Sequence, residues 1–67
     1  MNENRNKKIL KPTIVAERLI VDRRTLDNWR SAGRGPAYIK ISGRKIGYLE
    51  SDIDEFVSQR RINPEKN

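Results

Sequence analysis

The tetrapeptide Gly33-Arg34-Gly35-Pro36 constrains this chain more than any other stretch. Two glycines and a proline within four residues stop a helix, because proline lacks the N–H that a helix needs and glycine leaves the helical region at little cost. The break falls at the middle of 67 residues. Before it, apolar residues recur at helical spacing, and after it they alternate. A chain of this length makes one small domain, so a helical half and a half that begins extended share one core. The break is glycine-rich and basic, but it is no phosphate-binding loop. Such a loop needs Gly-Lys-Ser/Thr opening a helix, and here an extended segment follows.

The helical half holds two short helices. The second, within Val21–Gly33, has unlike faces. Asp22 is placed to cap it through its carboxylate, and Gly33 to end it in the left-handed C′ position. Leu26 and Trp29 are three apart and share a face, flanked by Asp22 and Thr25. At about 100° per residue, Arg24, Asp27, Asn28 and Ser31 point the other way, with Arg23 and Arg30 at the edge. The polar side thus carries the guanidinium, amide, hydroxyl and carboxylate groups that read base edges and grip phosphates in a major groove. Upstream, Pro12 suits a first helical position. Val15, Ala16 and Leu19 make an apolar stripe, so a helix is expected over about residues 12–18 (boundaries good to about 2–4 residues). Leu19-Ile20-Val21 is the tight link between the two, giving a helix-turn-helix.

The extended half reads as a hairpin and a last helix. Tyr38-Ile39-Lys40-Ile41 and Lys45-Ile46-Gly47-Tyr48-Leu49-Glu50 are strand-like runs joined by a turn at Ser42-Gly43-Arg44. Alternation puts Ile41, Ile46 and Tyr48 inward. Lys40, Arg44 and Lys45 gather at the tip with no acidic neighbour, which makes the hairpin a basic wing able to lie along a DNA backbone or minor groove. Ser51 is expected to cap the final helix, with Asp54 completing a capping box and the acids Asp52, Asp54 and Glu55 near the positive dipole end. Capping explains that acidic cluster without a metal. Ile53, Phe56 and Val57 take core-facing spacing, Arg60 and Arg61 the last turn, and Asn63-Pro64 the stop.

Charge now separates these parts by partner. Residues 1–11 carry four bases and one acid, and residues 34–50 again four and one, whereas 51–67 carry three bases and four acids. A polyanion should meet the N-terminal and wing segments, while the start of the last helix should face elsewhere. Other classes recede. Cysteine and histidine are absent, which removes disulfides, thiolate metal sites and the usual general base. No catalytic constellation, cofactor site or metal site is expected. No apolar run approaches the roughly 20 residues of a membrane span, and the N-terminus lacks a signal-peptide core. The expected setting is cytoplasmic. The expected organisation is a flexible basic tail over 1–9, whose Arg5, Lys7 and Lys8 could add phosphate contacts, a DNA-binding domain over 10–61 and a C-terminal tail over 62–67.

The residues Val21-Asp22-Arg23-Arg24-Thr25-Leu26-Asp27-Asn28-Trp29-Arg30, Gly35-Pro36-Ala37-Tyr38-Ile39-Lys40-Ile41, Ile46-Gly47-Tyr48 and Ser51-Asp52-Ile53-Asp54-Glu55-Phe56 together resemble the excisionase/AlpA-like family of small phage and mobile-element regulators. That family lies within the superfamily of MerR-type winged helices, and the resemblance spans about residues 10 to 61. It implies a small α+β winged helix-turn-helix: two helices, a two-stranded β-hairpin wing and a C-terminal helix. It also implies that the second helix enters the major groove and the wing meets the adjacent backbone or minor groove, and it implies a setting at the bacterial nucleoid. Arg23, Arg24, Thr25, Asn28 and Arg30 on the helix, and Lys40, Arg44 and Lys45 on the wing, carry over. The chain departs from the family twice. Ile20 stands where many relatives have a turn glycine, so the turn need not adopt a left-handed conformation. Gly47 replaces a wing arginine, which takes a contact away from the far wing strand.

The expected function is therefore sequence-specific binding of double-stranded DNA. Recognition-helix contacts are assigned to Arg23, Arg24, Thr25, Asp27, Asn28, Arg30 and Ser31, and wing contacts to Lys40, Ser42, Gly43, Arg44 and Lys45. Arg24 and Asn28 lead as base readers. Asp27 either accepts from cytosine or orients an arginine. Two roles share such a domain. An excisionase binds repeated or paired sites, self-associates on DNA and steers an integrase toward excision, whereas an AlpA-like regulator binds an operator. A protein-binding accessory module or antirepressor is the rival of another class. RNA binding is disfavoured, since Trp29 and Tyr48 are needed inside and leave no aromatic row for stacking.

Overall fold

A computed structural model describes residues 8–64. The order is β1 (Ile9–Leu10), α1 (Pro12–Leu19), α2 (Arg23–Ser31), β2 (Ile39–Ser42), β3 (Lys45–Leu49) and α3 (Glu50–Gln59). This is the small α+β winged helix-turn-helix expected, with one strand added. The sheet is antiparallel in the order β1-β3-β2. The short β1 pairs Ile9 with Leu49 and Leu10 with Tyr48, and Lys8 O accepts the Glu50 N–H at 2.8 Å. A two-residue strand has no readable period, so the sequence pattern showed only the hairpin. Residues 1–7 and 65–67 lie outside the described residues, and with them most of the expected N-terminal tail, its Arg5 and Lys7, and the end of the C-terminal one.

Every element except β2 sends a side chain into one core. Leu10, Val15, Ala16, Leu26, Tyr48 and Ile53 are buried, and Leu19, Val21, Trp29 and Ile46 close around them. Each fully buried Leu or Ile removes enough apolar surface from water to contribute roughly 1.5–3 kcal/mol. In α1 the stripe expected from spacing is the buried one, Val15 and Ala16, with Leu19 beside them. In α2, Leu26 is wholly buried, and Trp29 lies half-buried against Phe56 with ring centroids 5.9 Å apart.

Several local expectations are corrected. Ile41 does not point inward but is half-exposed. Lys40 pairs with Ile46 and Ser42 with Lys45, two steps on β2 against one on β3, so Ile41 is the extra residue of a bulge and alternation fails there. Ser51 does not cap α3. The strand runs straight into the helix, Leu49 takes the N-cap conformation, and Ser51 lies inside the first turn. At the other end, Arg60 is the C-cap residue and α3 stops at Gln59, ahead of the expected stop. Asp22 holds the N-cap backbone of α2, but its carboxylate makes no capping hydrogen bond. Of the three core positions assigned to α3, Ile53 is buried, Phe56 half-buried and Val57 half-exposed.

The last correction concerns the turn. Ile20 has φ 59° and ψ 46°, which is left-handed backbone in spite of its branched side chain. The hydrogen bonds show what holds it there. Ile20 N–H donates to Glu17 O at 3.2 Å and Val21 N–H to Ala16 O at 3.0 Å. This is the paired 5→2 and 6→1 pattern that satisfies the last carbonyls of a helix. The turn geometry is set by packing α2 back onto α1, and the residue supplied conforms to it.

Candidate nucleic-acid interface

The end of α2 is built as Gly33 predicts. Gly33 has φ 74°, its N–H donates to Arg30 O at 3.1 Å, and Arg34 N–H donates to Trp29 O at 2.7 Å. Only a residue without a Cβ takes this position at no steric cost. The turn fixes the length of α2 and sends the chain on to β2, leaving one flank of α2 beside the sheet and the opposite polar side open.

On that open side Arg24, Asn28 and Ser31 are exposed. Positions 24, 28 and 31 follow i, i+4, i+7, so they form one row along the helix. No ion pair involves Arg24 among the described residues, so its guanidinium keeps all its donors. Thr25 is half-buried at the edge of the apolar side.

The flank nearer the sheet is organised differently. Asp27 Oδ1 accepts from Arg23 Nε and from Arg30 Nη1, each at 3.3 Å. The Arg30 guanidinium also lies 5.8 Å from the centre of the Tyr38 ring. Tyr38 in turn tilts against buried Tyr48, with centroids 6.4 Å apart. The charges of this flank reach Tyr48. Burial raises the pKa of its hydroxyl above the usual tyrosine value, Arg30 and Arg23 oppose the rise, and Asp27 adds to it. Tyr38 was not among the sequence-assigned site residues. Its aromatic ring after Gly35-Pro36 was visible, but nothing in the spacing tied it to Arg30.

The wing presents Lys40, Ser42, Gly43, Arg44 and Lys45, all exposed, with Gly43 and Arg44 in the turn. None of its three cations forms an ion pair among the described residues. A cleft of about 500 Å³ lies between the wing, β1 and the starts of α1 and α2, and Lys11, Arg23 and Lys45 line it together with Ile41, Ile46 and Gly47. Lys11, one of the four bases of residues 1–11, joins the cationic set here. Gly47 is buried, and a Cβ there would stand 2.6 Å from Ile9 Cγ2. The place of a side chain on the central strand is thus filled from β1.

A separate groove of about 790 Å³ lies between the apolar side of the helix pair and α3, lined by Leu19, Trp29, Phe56 and Val57. Arg60 stacks over Phe56 there, 4.3 Å from the ring centre. Among the described residues no group of acidic, histidine or cysteine side chains is placed to hold a metal ion, and no helix is long and apolar enough to cross a membrane.

Comparison with known proteins adds one finding. A family model described as a helix-turn-helix domain matches residues 9–61. No curated protein and no solved structure matches the chain.

Proposed function

Since the chain belongs to the helix-turn-helix domain family, we propose that it binds double-stranded DNA sequence-specifically, with α2 in the major groove and the β2–β3 wing on the adjacent backbone. The observation that carries this reading is the exposed polar row Arg24, Asn28 and Ser31 beside a wing with Lys40, Arg44 and Lys45, none of whose cations forms an ion pair among the described residues. Arg24 supplies a bidentate donor fork for guanine, and Asn28 a donor–acceptor pair for adenine, each worth roughly 1–3 kcal/mol of discrimination. Thr25 and Ser31 extend the helix contacts. Lys40, Ser42, Gly43, Arg44 and Lys45 grip phosphates and set the salt dependence. Arg23, Asp27 and Arg30 lie between the two.

The role we favour is that of an excisionase of a phage or mobile element, on the resemblance of residues 10–61. A module of this size covers roughly 600–1,000 Å² of its own surface on DNA, too little for tight binding by one copy. Repeated or paired sites with self-association follow from that, and an integrase as partner follows from the resemblance. The test is anisotropy binding to a random duplex and to fragments of the source element across a salt series, with Arg24→Ala beside the parent. Selection of repeated sites near a recombination junction supports the excisionase. Selection of a promoter site supports an AlpA-like regulator instead. Equal losses on selected and random duplex for Arg24→Ala would remove it as a base reader, and no duplex binding at low salt would overturn the DNA reading.

A further inference from the structure

We infer that Asp27 is a positioning residue that divides the arginines of α2 into two kinds, pinning Arg23 and Arg30 as a phosphate clamp beside the wing and leaving Arg24 alone to read bases. The inference rests on the DNA-binding reading above and assigns the charges within it.

The geometry that supports it is a convergence. Arg23 and Arg30 stand four residues before and three residues after Asp27, so all three share one flank of α2. Both guanidiniums donate to the same oxygen, Oδ1, at 3.3 Å. Each is held by a second feature as well. Arg30 is only about a quarter exposed and sits over Tyr38, which rests on buried Tyr48. Arg23 borders the cleft that it shares with Lys11 and Lys45. A guanidinium held by one of its nitrogens keeps outward N–H donors. What it loses is the reach to swing into the groove and choose among bases. The seam between α2 and the wing is where a backbone strand would pass, and fixed donors there suit phosphate oxygens. Arg24, on the other face of the helix, has no such tether.

A carboxylate on a surface that meets a polyanion also has a direct effect. Asp27 offsets one of the two positive charges beside it, which weakens binding to any duplex. Its removal should therefore strengthen non-specific binding while loosening the register that specific binding needs.

The experiment uses the full chain with Asp27→Ala and Asp27→Glu. The probes are a random duplex and the duplex that the parent protein selects from a random-sequence pool, each titrated across a salt series. For Asp27→Ala the random duplex should bind roughly threefold more tightly near physiological salt, with the log–log salt slope steeper by about 0.9, one phosphate-equivalent. The ratio of selected to random affinity should fall roughly tenfold, a shift of the size that one good base contact provides. Glutamate keeps the charge and can still pair at the same i,i+4 and i,i+3 spacings, so Asp27→Glu should restore slope and ratio. A different result would overturn the inference. If Asp27→Ala loses affinity at one base pair of the selected duplex while random binding and slope stay unchanged, Asp27 itself reads a base. If neither quantity moves, the two ion pairs do not direct the arginines. Salt-sensitive binding by the parent separates either failure from failure of the DNA reading, which would show as no duplex binding by any of the three proteins.

Discussion

Ile20 offers a quantitative test of how the turn is held. Its φ of 59° places a β-branched residue in left-handed backbone, which costs roughly 1–2 kcal/mol. Its side chain is 90% exposed, so almost no burial is lost when it is removed. Ile20→Gly abolishes the strain but gives the unfolded chain more freedom, which takes back roughly 0.4–1 kcal/mol. The balance favours glycine by about 0.5–1 kcal/mol. Asparagine tolerates the same backbone without glycine's added freedom, so Ile20→Asn should gain at least as much. Ile20→Ala keeps a Cβ and should fall between glycine and the parent. Urea unfolding followed by circular dichroism measures this directly. With a slope near 1 kcal/mol/M for so small a domain, the glycine and asparagine midpoints should rise by roughly 0.5–1 M at unchanged slope. A glycine midpoint below that of the parent would refute the reasoning, because it would mean that the exposed side chain stabilises the fold by more than the strain.

Three further outcomes follow from particular contacts. Gly47→Ala brings a Cβ to 2.6 Å from Ile9 Cγ2, which should destabilise by about 1 kcal/mol; Ile9→Ala should relieve it, and additive effects in the double-mutant cycle would show that the two do not touch. Tyr48 has its pKa raised by burial, so the folded state holds a proton that the unfolded state loses first above about pH 10. Stability should be level below that pH and decline above it, and in Tyr48→Phe the decline should be smaller; an unchanged pH profile of thermal melts would contradict the assignment. Arg44→Ala with Lys45→Ala should weaken binding to every duplex and flatten the salt slope by about two phosphate-equivalents, one per contact removed; an unchanged slope would make the wing purely structural.

How much of the fold was legible depends on how local its causes are. α1 and α2 were readable because their signals are local: Pro12 at the start, Gly33 at the end, and Val15, Ala16 and Leu26 at helical spacing. The final helix was readable as an element but not at its start. Ser51-Asp52-Ile53-Asp54 looks like a capping box, and what moved the boundary was β3, which delivers Leu49 straight into the cap position. β1 was unreadable for the same reason. Its two residues become a strand only through pairing with Leu49 and Tyr48, forty and thirty-eight positions along the chain. The bulge at Ile41 likewise belongs to the pairing and not to either strand alone. The left-handed turn at Ile20 is the sharpest case. Glycine is a sufficient signal for that conformation and not a necessary one, since tertiary packing can impose it on a residue that resists it.

The candidate site divides along the same line. Residue types and helical angles were enough to collect Arg24, Asn28 and Ser31 on one face, because angle along a helix is a local property. They were not enough to tell Arg24 from Arg23 and Arg30, which have the same chemistry and neighbouring positions. That difference comes from pairing. Asp27 takes up both outer arginines through one oxygen, and Tyr38, arriving from beyond the Gly35-Pro36 break, backs one of them. Sequence alone left Asp27 two roles, acceptor for a base or guide for an arginine, and the second is the one that the geometry of the free protein supports. The net charge of the two helices therefore overstates the number of cations they leave unpaired for the proposed reading of bases. Of four basic residues between Arg18 and Arg30, Arg18 pairs with Glu50 at 2.9 Å, Arg23 and Arg30 share Asp27, and Arg24 remains. A search for the target site should accordingly expect base preference concentrated where Arg24 and Asn28 reach, with the flanking positions read through the backbone that Arg23, Arg30 and the wing cations hold.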